Sequence, residues 1–145
     1  MTGYLLDTNV ISELIKPAPN AQVTAWIRSV NETDLHLSVL SFAELRHGIE
    51  QLPRGARRNR LQRWMEFDLT DRFEGRILAI DKNIAETWGI IMARVRAAGV
   101  RPPSMDTLFA ATAEALGLTM VTRNTRDFAL IGVAVVNPWG ATSET

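Results

Sequence analysis

Asp7, Glu44, Asp106 and Asp127 each stand beside the end of an apolar segment, as does Asn124. In open α/β sheets the ligand site lies beyond the carboxyl ends of the strands, so acids at those ends are the ones to watch. Asp7 closes the apolar run Tyr4-Leu5-Leu6. Glu44 falls in the first turn of the helix read after the second strand, and Asp106 in the first turn of the helix that leads to the fourth. Asn124 and Asp127 follow that fourth strand directly. Two carboxylates about 4 Å apart repel by roughly 4 kcal/mol at an effective dielectric near 20, so such a cluster calls for a cation. Oxygen ligands of this kind suit Mg²⁺ or Mn²⁺. A divalent ion held by carboxylates beside basic residues points to phosphodiester hydrolysis by metal-activated water.

Each acid also has a plain local use. Ser41-Phe42-Ala43-Glu44 has the form of a capping box, Asp106 could favour a helix N-terminus through the dipole, and Asn124 with Asp127 resembles a cap. Asp7 in Asp7-Thr8-Asn9 could form an Asx turn. Capping does not require all of them at one edge of one sheet, which is what separates the two readings.

The elements that must carry these residues alternate. Strands are expected at Tyr4–Leu6, Leu35–Val39, Ile77–Ile80, Thr119–Thr122 and Val133–Val136. Helical spacing follows Asp7 up to Pro17, and recurs after Asn20, from about Ser41 to Gln51, over Arg54–Asp68, from about Asn83 to Ala98, from Ser104 to Leu116, and near Asp127–Ile131. The fold class expected is α/β, a central parallel five-stranded sheet flanked by helices on both faces. Residues 1–139 are expected to form a single domain, with a disordered tail over 140–145.

Composition narrows the chemistry. The chain of 145 residues has no cysteine, which excludes disulfides, Cys-based zinc sites and thiol nucleophiles. His36 and His47 are too few for a histidine zinc site, and His47 is expected on a helix surface. Sixteen basic and sixteen acidic residues cancel, so any grip on nucleic acid must come from a local patch. All basic residues except Lys16 and Lys82 are arginine. Arg54–Arg63 holds five of them and reads either as a solvated helix or as a phosphate-binding face; Arg123 and Arg126, nearer the acidic cluster, are the substrate-binding candidates. The tryptophans are expected mainly in the core or in a dimer face. Without a basic leader or a long apolar stretch, the protein is expected to be cytoplasmic, with no membrane association.

Four segments together resemble the PIN-domain ribonuclease toxins of the VapC family. They are Leu5-Leu6-Asp7-Thr8-Asn9-Val10-Ile11-Ser12-Glu13, Ser38–Gly48 around Glu44, Asp106-Thr107-Leu108-Phe109-Ala110-Ala111-Thr112-Ala113, and Thr122-Arg123-Asn124-Thr125-Arg126-Asp127-Phe128. Asn137-Pro138-Trp139 resembles the ending of the FitB-like subset. The resemblance implies a PIN-like fold, Mg²⁺- or Mn²⁺-dependent cleavage of RNA, a cognate antitoxin protein and a homodimer. It makes Asp7, Glu44 and Asp106 the metal ligands, with Thr8, Asn9, Thr122 and Asn124 in support. Many relatives carry Asp where this chain has Asn124; Asp127, a turn later, is the candidate to supply the missing charge as a fourth catalytic acid. That departure leaves open a catalytically weak scaffold that binds RNA or a partner without cutting. A haloacid-dehalogenase-type phosphatase needs a second Asp two residues after the first, where this chain has Asn9.

Overall fold

The computed structural model describes residues 3–140; of the expected tail, residues 141–145 lie outside it. Five strands, β1 (Tyr4–Leu6), β2 (Leu35–Ser38), β3 (Ile77–Leu78), β4 (Thr119–Val121) and β5 (Val135–Val136), form one sheet in the order β3-β2-β1-β4-β5. Every pairing is parallel, with Leu5 opposite His36 on one side and opposite Met120 on the other. The helices are α1 (Thr8–Leu14), α2 (Ala21–Ser29), α3 (Val39–Glu50), α4 (Ala56–Arg63), α5 (Thr70–Arg72), α6 (Lys82–Ala97), α7 (Ser104–Leu116) and α8 (Thr125–Ile131).

Parallel strands joined by helical crossovers are buried on both faces, so they carry continuous apolar runs in place of alternation. Leu5 and Leu6, both fully buried, show this directly. With a side-chain period of two, Leu5 enters a core with Ile91 of α6, Phe109 and Ala110 of α7, Met120 and Phe128. Leu6 enters the opposite core with Val10 and Ile11 of α1, Val23 of α2, Leu35, Leu37 and Phe73. Gly3, at φ +151°, precedes β1 where an added Cβ would stand 2.8 Å from the Asp34 carbonyl; only a residue without a side chain fits that approach. At the far end of α7, Gly117 takes the left-handed conformation that stops the helix.

Strands β2, β3, β4 and β5 are each one or two residues shorter than expected, and two helical segments differ as well. Helix α3 begins at Val39, not Ser41, because Ser38 both ends β2 and caps the helix through its hydroxyl, which accepts from the Leu40 N–H at 3.0 Å. Glu44 therefore sits in the second turn and is not part of a capping box. The segment read as one α-helix over Arg54–Asp68 is α4 followed by a π-helical turn, Trp64–Leu69, that leads into α5. The wider turn spaces Met65, Leu69 and Phe73 so that all three are buried, and the Thr70 hydroxyl donates to the Met65 carbonyl five residues back, at 3.1 Å. Among the described residues no helix is long and apolar enough to cross a membrane.

Since Phe109 is fully buried in the core that supports α7, Phe109→Ala is expected to lower unfolding stability by about 3–5 kcal/mol in a urea titration. An unchanged midpoint would contradict this assignment of the core.

Candidate active site

The chain reverses its winding direction at β1, which has β2 on one side and β4 on the other. A crevice opens at such a switch point, beyond the strands' carboxyl ends. Asp7 leaves β1 there. Its backbone N–H donates to the Val121 carbonyl at 2.9 Å, tying it to β4, and its side chain caps α1 by accepting from the Thr8 N–H at 2.7 Å. The other carboxylate oxygen accepts from the Thr122 hydroxyl at 2.7 Å and from the Asn9 amide at 3.4 Å. The Asx-turn expectation is not met, because Asp7 accepts from the next residue's N–H and not from the one two residues on; one oxygen serves the helix and the other is held by Thr122 and Asn9.

Glu44 reaches the same place from α3. Its carboxylate accepts from the Thr8 hydroxyl at 2.5 Å, and the same hydroxyl lies 3.0 Å from the buried Ser41 hydroxyl. Thr8 has one proton to give; the shorter contact takes it, which leaves Ser41 as the donor to Thr8. Asp106 arrives on the first turn of α7 and accepts from the Asn124 side-chain amide at 3.0 Å. Asn124 stands at the N-cap position of α8 but makes no side-chain cap bond. Its amide is turned to Asp106, and its backbone N–H donates to the Thr122 hydroxyl at 2.9 Å.

These acids act on one another. Burial pushes the Asp7 carboxyl above its ordinary value, against the donors Thr122 and Thr8, and the Glu44 charge adds to the rise. Asp106 is pushed up to about 6, first by burial and then by the negative charges of Asp7, Asp127 and Glu44. Asp127 therefore belongs to the cluster by its field.

A cavity of about 490 Å³ holds Asp7, Glu44 and Asp106, together with Thr8, Asn9, Asn124 and Arg123. Thr122 lies behind it, fully buried. Neither Asp127 nor the exposed Arg126 lines the wall. Four further residues on the wall, Ser12, Glu13, Lys16 and Trp139, had no site role in the sequence reading. Glu13 could have been noticed as an acid beside the apolar positions Val10, Ile11 and Leu14 of α1; it is only 6% exposed. Trp139 had a local signal in Asn137-Pro138-Trp139, but nothing in that ending tied it to a site 132 positions away at Asp7.

The donor set consists of carboxylate, hydroxyl and amide oxygens, which suits a hard divalent cation. His36 is turned to the Tyr4 and Asp34 carbonyls and the exposed His47 to Gln51, so no nitrogen ligand competes. Among the described residues no three acidic or histidine side chains converge as ligands of a single ion; Asp7, Glu44 and Asp106 each hold a neutral donor, Thr122, Thr8 and Asn124 respectively.

Fold and site together define a class, and the class has a name: residues 4–133 match the PIN domain family, and the chain belongs to it. Toxin FitB of Neisseria gonorrhoeae is 41% identical over 93% of this chain and 97% of its own length. VapC ribonuclease Y4jK of Sinorhizobium fredii is 38% identical over 93% and 96%. Among solved structures, a chain of FitAB bound to an IR36 DNA fragment superposes with a TM-score of 0.87 at 40% identity, covering 94% of this chain and 95% of that one.

The Asp106 shift carries a sign. The folded chain holds this proton up to about pH 6 and the unfolded chain only to 3.8, so in a chelator this group makes stability fall as pH rises through that window. Asp106→Asn keeps an acceptor for Asn124 and removes the repelled charge. Asp106 is only partly buried, so solvent screening reduces the expected gain at pH 7.5 to about 1 kcal/mol. Thermal melts in chelator at pH 5 and 7.5 check it: the variant should melt higher than the parent at 7.5 and show a flatter pH dependence.

Proposed function

We propose that this chain is a divalent-metal-dependent endoribonuclease, the toxin component of a toxin–antitoxin pair, with residues 1–139 as its one domain. Three carboxylates from separate chain segments in one cavity at the switch point, where burial and neighbouring negative charge raise Asp7 and Asp106, are the observation that carries the reading. The relatives named toxin and ribonuclease support it, as does the complex that FitAB makes with DNA. By the same support, the partners are an RNA substrate, a cognate antitoxin protein and a second copy of the chain, in the cytoplasm.

Asp7, Glu44 and Asp106 would hold the ion, Mg²⁺ or Mn²⁺, and Asp127 would add negative field from α8. Bound there, the ion would supply Lewis acidity toward a phosphoryl oxygen and ease ionisation of an attacking water. The protein's part is to hold the ligands in place. Thr122 fixes the Asp7 carboxylate, Thr8 fixes Glu44, Asn124 orients Asp106, and Asn9 braces the loop by accepting from the Arg123 N–H at 3.4 Å.

A second reading has a specific observation behind it: Asn124 offers Asp106 an N–H where an acid would offer another ligand. A scaffold that binds RNA without cutting is the consequence. RNA binding that persists in chelator, with no products in Mn²⁺, would establish it.

Purified Asp7→Asn protein is expected to yield no products from RNA that the parent cleaves; retained cleavage would overturn the nuclease assignment. Mg²⁺ or Mn²⁺ at a hundredfold excess over its dissociation constant should stabilise the parent by about 2.7 kcal/mol, read as a higher melting temperature. Thr122→Val should weaken metal affinity or activity by about 10–100-fold, measured by metal titration of the melting temperature.

A further inference from the structure

The cavity has a second end that the metal chemistry does not use. Asp7 and Asp106 owe their raised values to burial and to negative neighbours, and no cation offsets them. Glu13 has the opposite surroundings. Lys16 Nζ donates to its carboxylate at 2.8 Å, the Asn20 N–H donates at 2.9 Å, and the Lys16 and Arg123 charges both hold its carboxyl below the ordinary range, the Lys16 hydrogen bond most of all. The same wall therefore runs from a cluster of acids to a pair of cations with a single counter-charge.

Arg123 is built into this end with unusual care for an exposed side chain. Its guanidinium carbon lies 4.3 Å from the centre of the Trp139 ring. Trp139 is itself anchored: its ring packs on the core under α1 and α2, and its backbone N–H donates to the Asn137 side chain at 2.9 Å. Stacking on tryptophan orders the arginine before any ligand arrives, so less side-chain entropy remains to be lost on binding. Among the described residues Arg123 makes no ion pair. A planar guanidinium that is held over a ring, makes no ion pair among the described residues and lines the cavity can offer the bidentate geometry a phosphate takes.

We propose that Arg123, laid on Trp139, and Lys16, tethered to Glu13, form a phosphate-binding subsite that grips single-stranded RNA at a phosphate flanking the one cleaved. This rests on the nuclease reading above and deepens it. The carboxylate end takes the reacting phosphate with its cation, and the cationic end takes a neighbouring one. Trp139 and Glu13 are positioning residues, acting through Arg123 and Lys16.

The test uses the full chain and a fluorescein-labelled single-stranded RNA. Anisotropy in chelator measures the dissociation constant over a range of salt, and cleavage in Mn²⁺ gives kcat and KM. Arg123→Gln is expected to raise the dissociation constant and KM about tenfold, the worth of one charge-assisted hydrogen bond, with kcat changed far less. The slope of log affinity against log salt should fall by about one. Lys16→Gln should act in the same direction. Trp139→Phe keeps a ring under the guanidinium and should stay near the parent, whereas Trp139→Leu should behave like Arg123→Gln. An unchanged dissociation constant and salt slope in Arg123→Gln, a surface substitution that leaves the core intact, would overturn the subsite, as would equal losses in Trp139→Phe and Trp139→Leu. Because binding is read in chelator, absence of cleavage by the parent would sink the nuclease reading while the subsite is still judged by its own measurement.

Discussion

Negative charges held together at one end of a parallel sheet are the constraint around which this molecule is arranged. Asp7, Glu44 and Asp106 share one cavity, with the field of Asp127 reaching it from α8. Left to themselves, such groups would rotate apart or take up protons, and Asp106 moves toward the second outcome, with its value near 6. Neutral donors oppose the rotation, and Thr122 and Asn124 also oppose protonation of Asp7 and Asp106. The side chains of Thr122, Thr8 and Asn124 each give one hydrogen bond to one acid, so each carboxylate is held by something that does not cancel its charge. That is the arrangement a site needs if it is to attract a cation and keep its ligands oriented.

The rest of the fold follows from having to hold those donors still. Thr122 is fully buried and Thr8 begins α1, and both depend on β1 lying between β2 and β4. The central strand is only three residues long, too short to hold itself. It is kept in place by two cores, one through Leu5 and one through Leu6, and by the closeness of Gly3 to the Asp34 carbonyl. Packing on both faces over-determines where Asp7 leaves the sheet. The apolar side of the structure thus places the polar side, and at the carboxyl end of the central strand it does so with little slack.

The cavity is polarised. Acids gather where β1, α3 and α7 meet; Lys16 and Arg123 gather around Glu13. Overall neutrality hides this separation, because it counts charges and ignores position. A phosphodiester chain, with an anion at each link, fits such a surface better than a single small anion does, since reacting and flanking phosphates want different neighbours. Phosphate contacts of this kind fix register and carry no sequence information.

How much of this was legible from residues alone depends on how local each cause is. The α/β alternation, the parallel sheet and the gathering of Asp7, Glu44 and Asp106 could be read, because apolar runs, turn residues and strand-end acids are short-range patterns. The start of α3 was misread by two residues, since Ser38 and Ser41 both offer a capping hydroxyl and only the end of β2 decides between them. The π-helical turn after α4 could not be read either, as it exists to bring Met65, Leu69 and Phe73 onto a sheet formed by distant segments. Sequence by itself determined which acids stand at the carboxyl end of the sheet and on which elements they ride. Tertiary structure alone decided that Asn124 turns from its helix to Asp106, that the local Glu13–Lys16 pair shares a cavity with Asp7 and Glu44, and that Trp139 comes back to lie under Arg123. The Asp106–Asn124 and Arg123–Trp139 contacts join separate elements, and the closing of two cores around one short strand brings those elements within a few ångströms.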